Sequence, residues 1–519
     1  MKTSFDKLMI HVAYVYILFP FLLFCVGWLR WYYAMGMAVI LIASYILSIR
    51  NTKEYIAVDI KKHTSKIIIA LSVIIILIFF SGIGEYSYQV EDHLFRNAVF
   101  HDLVTHRWPY RLNERGNIPG LHRPLLYIYY IIYWFPAAFA GKIFGWEAAK
   151  FSLFLWTILG TILTFYFLCR LFRKMSLKIL FLFMFLNSLY IFVSFIKFPI
   201  LSVITSDYKI WSGNMNMGGS DTDNLYWIYN QTVTALLILA LILNNIPKQN
   251  IGFLYALCYL HGPFCFLGFF PFLCIILYKD IVLKKQASET YIKIIQPYLT
   301  FQNIIGSITV FLVGYWYLSG SPAVQSLYIE KVSLRYYITF ILVMFGFISM
   351  LIFSKYKKDP FFYTVLIMLS ILPLIGMGTI QPFTFCARVS IAPTFILMIL
   401  VTRYILEEPL SIRKKLVIAY VFLAALDTAC EVGRSVFFTI AHYVDPLAIN
   451  TIIYERAGQW SNWKNLVPPK SEWKDQNFNK LDFMETQDTT VTPNLPYFEM
   501  QSDSTFFNKY LLKQNLDKK

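Results

Sequence analysis

Apolar runs close to the length of a bilayer-crossing helix recur along the chain, at 8–29, 32–49, 66–82, 149–169, 179–198, 225–244, 302–319, 336–354, 361–379, 389–406 and 416–438. At ~1.5 Å rise per residue, a helix needs about 20 such residues to cross the hydrocarbon. Residues 251–279 are too long for one upright helix and too short for two. His261-Gly262-Pro263 breaks that run, so two short or oblique helices meeting there bring the expected total to thirteen spans.

The basic residues bear on this count. With the N-terminus in the cytoplasm, Arg50/Lys53/Lys61/Lys62, Arg170/Arg173/Lys174/Lys178, Lys279/Lys284/Lys285, Lys355/Lys357/Lys358 and Arg413/Lys414/Lys415 all fall on the inner side. That holds only if 126–146 does not cross. Its aromatic residues (Tyr127, Tyr129, Tyr130, Tyr133, Trp134) and Pro136 predict a helix lying at the membrane interface.

Composition agrees with the pattern. The chain is 57% hydrophobic, 18% aromatic and only 15% charged, where soluble domains carry about 25% charged residues. Mean hydropathy is +0.55. An all-α polytopic membrane protein follows, in three parts: two N-terminal spans and a cytoplasmic loop (1–65), a transmembrane module (66–440), and an outer-face tail or cap (441–519). The basic N-terminus lacks a short apolar region ending in a cleavage site, so it reads as a retained first span. The formal charge of +16 is accounted for by inner loops, which argues against a nucleic-acid partner. Five of the seven cysteines lie in or beside apolar runs, and no disulfide framework or zinc spacing emerges. There is no internal repeat.

Polar chemistry gathers at 84–125, within the first outer loop (84–148) and directly after an apolar run. Acids (Glu85, Glu91, Asp92, Asp102), histidines (His93, His101, His106, His122) and arginines (Arg96, Arg107, Arg111, Arg115, Arg123) crowd there, and charge that dense beside lipid is costly. Residues 86–106 can be written as one helix. Glu91 and Asp102 then share a face, and Asp92 and Arg96 share the neighbouring one. One reading makes Asp92 or Glu91 a general base held by Arg96; the other is a solvated helix with an ordinary i,i+4 bridge. In the second outer loop, 199–224, Asp221 and Asp223 are spaced as Asp-x-Asp. That pattern suits a divalent cation such as Mg²⁺ or Mn²⁺, and equally suits ordinary turn chemistry. Arg388, at the edge of loop 380–388, suits a phosphate clamp or a snorkelling anchor. Asp427, Glu431 and Arg434 lie in the last apolar run, where such groups must face the bundle interior and pair.

The adjacent acids Glu91-Asp92, His122-Arg123-Pro124-Leu125, and the 126–146 segment with Phe144-Gly145 before a span resemble the GT-C glycosyltransferases in order and topology. So do YWIYNQ (226–231), ARVSIAP (387–393) and CEVGRS (430–435). Protein mannosyltransferases and the aminoarabinose transferase are members. The likeness covers roughly 66–440. It departs from the family in the two extra spans ahead of the acids and in Arg123, where members carry proline.

That resemblance implies an inverting glycosyltransferase of a cell-envelope glycan in a bacterial plasma membrane. It would move a sugar from a polyprenyl-phosphate donor to a hydroxyl on a glycan, lipid or polymer at the outer face. It casts Asp92, with Glu91 and Asp102 as substitutes, as the base. Arg96, His122, Arg123, Arg388, Glu431 and Arg434 become substrate contacts. The alternatives are a transporter or flippase of a lipid-linked glycan, or a glycan polymerase.

Overall fold

The computed structural model describes residues 2–50, 63–90, 92–112, 125–197, 215, 217–244, 248–286, 290–319, 327–377, 382–444, 500–501 and 507–513. The first part of the chain gives α1 (Lys2–Trp28), α2 (Trp31–Arg50), α3 (Thr64–Phe80), α4 (Asp92–Thr105), strands β1 (Arg111–Leu112) and β2 (Leu125–Tyr127), then α5 (Phe135–Phe144) and α6 (Trp146–Leu171). The middle holds α7 (Leu177–Phe185), α8 (Tyr190–Lys197), α9 (Asp221–Leu243), α10 (Ile251–His261), α11 (Pro263–Gln286), α12 (Tyr291–Ile295) and α13 (Ser307–Leu318). Then come β3 (Leu327–Ile329), α14 (Leu334–Ile341), α15 (Phe347–Tyr356), α16 (Pro360–Ile371), β4 (Ile375–Met377), α17 (Pro382–Val389), α18 (Ile391–Glu407), α19 (Ile412–Val444) and β5 (Met500–Gln501).

Among the described residues, seven helices are long and apolar enough to cross a membrane, or nine if two bent pairs each count as one span. The protein is therefore all-α in its spanning part and reads as an integral membrane protein; the strands form only two small sheets. The expected thirteen spans are not confirmed among the described residues, because several apolar segments are short or bent. α3, at 17 residues, and α16, at 12, are short, and the 179–198 run splits into α7 and α8 with a 48° bend. The break at His261-Gly262 is present, but it divides the run into a short buried α10 and a long α11 instead of two short helices.

Contacts sort the helix ends into two sets. At the end where α1 begins, Asp6 binds Arg170 of α6, Arg170 reaches Asn244 after α9, Lys279 pairs with Asp359, and Lys355 with Glu407. At the opposite, distal end, Leu29 bridges Leu512, β2 pairs with both β1 and β5, and Tyr88 N–H donates to Thr439. The start of α6 lies here too, since Lys150 is 3.4 Å from Glu85. The segment between α3 and α6 thus leaves and returns at one end.

The 126–146 segment accordingly lies between two elements of the same end of the bundle, and its surroundings differ from those expected. Tyr133, Trp134, Phe135, Ala137 and Ala138 are fully buried, so this stretch is packed into the bundle, while Phe139 and the last turn of α5 are exposed. α5 packs most heavily on α6 and also on α4. C-terminal residues close the same end: Phe507 is buried against Tyr317 at 5.5 Å, and Arg30 donates to the carbonyls of Lys509 and Leu512.

Candidate functional site

α4 begins at Asp92, several residues later than expected, because 86–90 is an irregular segment tied down by its own polar groups. Ser87 donates to the Phe79 carbonyl, and Gln89 donates to that of Gly82 while accepting from Asn97. Glu91, His122 and Arg123 lie outside the described residues. The i,i+4 spacing does what the sequence implied: Arg96 Nη2 donates to Asp92 Oδ2 at 2.7 Å. The pair is unequal, however. The Arg96 side chain is 4% exposed and that of Asp92 46%. The Nε and Nη1 groups of Arg96 are buried without a hydrogen-bond acceptor among the described residues, and the guanidinium lies 5.8 Å over the Tyr229 ring.

His93, the next residue of α4, is fully buried and stacks on Tyr229 at 5.5 Å. Its Nε2 donates to the Tyr226 carbonyl at 2.8 Å, which fixes the neutral tautomer. Burial, and secondarily the Arg96 charge, push this imidazole down to about 3. Glu85 is also perturbed: burial raises its carboxyl, and the ammonium of Lys150 only partly offsets this.

Tyr226 and Tyr229 belong to α9, the most buried candidate span, with 94% of its apolar window inside the protein. The acids of the Asp-x-Asp motif form the first turn of α9 instead of a loop. Ser220 accepts from the Asp223 N–H, and the Asp223 carboxylate accepts from the Ser220 N–H and from Asn187. A Cβ on Gly219 would lie 3.1 Å from that of Asp223, so glycine lets this cap close. Asp223 is thus engaged as a helix cap. Among the described residues no three His, Cys, Asp or Glu side chains gather as a metal site.

From the other side α19 brings Glu431 and Arg434 into contact as a buried i,i+3 pair, and Asp427 is buried on the same helix. The Tyr226 hydroxyl feels the charges of both Glu431 and Arg434 and adjoins Ser435. Thr428 shares hydrogen bonds with Ser220 and Asn187. Tyr226 is therefore the meeting point of three regions that the sequence marked separately: α4 on its carbonyl, α19 on its hydroxyl, and the head of α9.

Two residues stand apart. Asp102 lies ten residues along α4 from Asp92, about 15 Å down the axis, and its carboxylate is 3.7 Å from His106. Arg388 ends α17, buried and not snorkelling. Its Nη1 donates to the Tyr130 hydroxyl at 3.1 Å, and its guanidinium lies 5.7 Å over Phe264. Ring contacts link it to the α4 site: Tyr229 to Trp134 (6.3 Å), Trp134 to Tyr129 (6.2 Å) and Tyr129 to Tyr130 (4.2 Å). Sequence reasoning gave Tyr129, Tyr130 and Trp134 a place at the membrane interface only, and Tyr229 none beyond the YWIYNQ run. The available signal was Tyr226 and Tyr229, three residues apart at the head of a span.

A small cavity of about 50 Å³ opens beside the first turn of α9. One wall is polar, with Asn187, Ser188, Ser220, Asp221 and Asn224; the other is apolar, with Phe183, Met344, Phe345, Leu369, Phe395 and Met398. Comparison with known proteins gives no parallel: no family model, curated protein or solved structure matches this chain.

Proposed function

We propose that this protein is an inverting membrane glycosyltransferase of GT-C type, taking a sugar from a polyprenyl-phosphate donor to a hydroxyl acceptor. The observation that carries the reading is the Asp92–Arg96 pair. A half-exposed carboxylate is held by a guanidinium that is itself buried and whose Nε and Nη1 have no acceptor among the described residues. Guanidinium donors in a dry site suit phosphate oxygens, and a held carboxylate suits proton abstraction. Packing of this pair against α9 and the buried Glu431–Arg434 pair adds polar groups at the same place.

In this reading the acceptor O–H gives its proton to Asp92 as its oxygen bonds to the anomeric carbon. The bond from that carbon to the phosphate oxygen breaks, and the polyprenyl phosphate leaves with the electron pair. One displacement inverts the configuration. Arg96 stabilises the charge that builds on the leaving phosphate, and Arg388 can act from the far end of the aromatic strip. Metal is left out of the mechanism, because Asp223 is engaged as a cap. The distal end would face outside, with the C-terminal segment on that face.

The test is transfer of labelled sugar from purified polyprenyl-phosphate sugars to membrane lipid or glycan extract by the reconstituted chain. Asp92→Asn and Arg96→Gln should both lose it. A second reading, carriage of a lipid-linked glycan, draws on the bent pairs at 177–196 and 291–318, since broken spans line the sites of many carriers. Movement of a lipid-linked glycan across proteoliposomes with no transfer to any acceptor would favour that reading.

A further inference from the structure

We propose that the described C-terminal residues, 500–501 and 507–513, brace the Arg388 guanidinium through Tyr317, which acts as a positioning residue. Only the effect on turnover rests on the reaction proposed above; the brace itself stands on contacts. It acts on residues 125–130, which run from β2 into Tyr129 and Tyr130. Past β2 this stretch is irregular backbone, so neither helix nor sheet fixes the two tyrosines. C-terminal residues reach it by two routes. β5 pairs with β2, placing Gln501 opposite Leu126 and Met500 opposite Tyr127. Phe507, fully buried, packs on the Tyr317 ring at 5.5 Å. The Tyr317 hydroxyl in turn accepts the Tyr129 N–H at 3.3 Å and donates to the Tyr129 carbonyl at 3.2 Å.

From Tyr129 the contacts lead directly to the arginine. The Tyr129 ring meets Tyr130 at 4.2 Å, and the Tyr130 hydroxyl accepts from Arg388 Nη1 at 3.1 Å. Tyr130 also meets Phe264 edge-on at 6.0 Å, and the guanidinium lies 5.7 Å over that same Phe264 ring. Arg388 therefore sits in a corner made by Tyr130 and Phe264. The other end of the brace is anchored as well. Arg30 N–H donates to the Leu511 carbonyl at 2.9 Å, and Lys513 N–H to that of Trp28 at 2.8 Å. Phe24 of α1 packs on Tyr317 at 5.0 Å, so the tyrosine is wedged between α1 and the C-terminal segment. Phenylalanine would fill that space equally well; the hydroxyl adds a directional tie to an irregular backbone. Such support matters because a catalytic group displaced by about 1 Å can lose much of its effect.

The first measurement is phenylglyoxal labelling of the full chain in detergent, read at each arginine by peptide mass spectrometry. Tyr317→Phe, which keeps the ring contacts, and Phe507→Ala should each raise the rate at Arg388 at least about five-fold, since labelling of a buried guanidinium reports local opening. Arg170, at the other end of the bundle, should stay within about two-fold, which separates a local effect from general destabilisation. Unchanged labelling at Arg388, or an equal rise at Arg170, would overturn the inference. In the transfer assay Tyr317→Phe should lower kcat several-fold with little change in acceptor KM. Added to Arg388→Lys, it should slow turnover no further, because both changes act through one guanidinium. Effects that multiply would likewise overturn the brace. Loosening at Arg388 with no sugar transfer by the wild type would instead remove the transferase reading and leave the brace standing.

Discussion

Arg170 near the end of α6 and Arg96 on α4 are equally withdrawn from solvent, with side chains 5% and 4% exposed. Their partners differ. Arg170 Nε donates to Asp6, a carboxylate with no exposure at all, which also accepts from Tyr166 at 2.6 Å. Its Nη1 reaches Asn244, which in turn donates to the carbonyls of Phe167 and Ala240. That network ties α1, α6 and α9 together. Arg96 meets one carboxylate that is half in solvent, one aromatic face and, among the described residues, no further acceptor on Nε or Nη1. Burial is therefore a poor guide to role. What distinguishes a structural arginine from one held ready for a ligand is how many donors the protein has already used and how dry the opposing carboxylate is.

The largest expected effect would break this comparison outright. Asp92→Asn should lower sugar transfer by roughly 10²–10⁴-fold, the usual worth of a general base, while the melting temperature in detergent stays near that of wild type. An active Asp92→Asn protein would leave α4 as a mere surface helix. Next comes stability. Arg170→Ala strands the Asp6 charge in the interior and should cost about 3–5 kcal/mol, read as a large fall in thermal midpoint or folded yield. Arg96→Ala leaves only a half-solvated carboxylate behind and should cost about 1 kcal/mol or less. Equal losses in the two variants would erase the distinction.

A third expectation sharpens the α4 side through pH. His93 is held near 3 in the folded protein against about 6.5 in an unfolded chain, so the folded state binds fewer protons. Stability from this group is complete above about 6.5. It declines as pH falls toward 3, by up to about 1.4 kcal/mol per pH unit. His93→Gln keeps a donor for the Tyr226 carbonyl and should flatten that part of the pH–stability curve; an unchanged curve would place the titration elsewhere. The smallest effect concerns Arg388. Lysine keeps the charge but loses the planar fork that meets Tyr130 and lies over Phe264, so Arg388→Lys should turn over several-fold more slowly in the transfer assay. Wild-type kinetics would make it a packing residue.

Periodicity and composition were enough to indicate an all-α chain with several membrane-length apolar helices and the pairing of Asp92 with Arg96. Those features are local: hydrophobic length and an i,i+4 spacing are written in contiguous residues. Helix ends were less legible. The head of α9 extends four residues into what read as loop because Ser220 and Asp223 cap it, turning a metal-like spacing into a capped first turn. The convergence of α4, α9 and α19 on Tyr226, the buried aromatic strip from Tyr229 to Tyr130, and the cavity facing Asp221 were decided only by tertiary structure. Each depends on residues up to several hundred positions apart, and on which face each helix turns toward its neighbours. Within a bilayer nearly every face of a span is apolar, so hydrophobic pattern alone leaves that rotation undetermined.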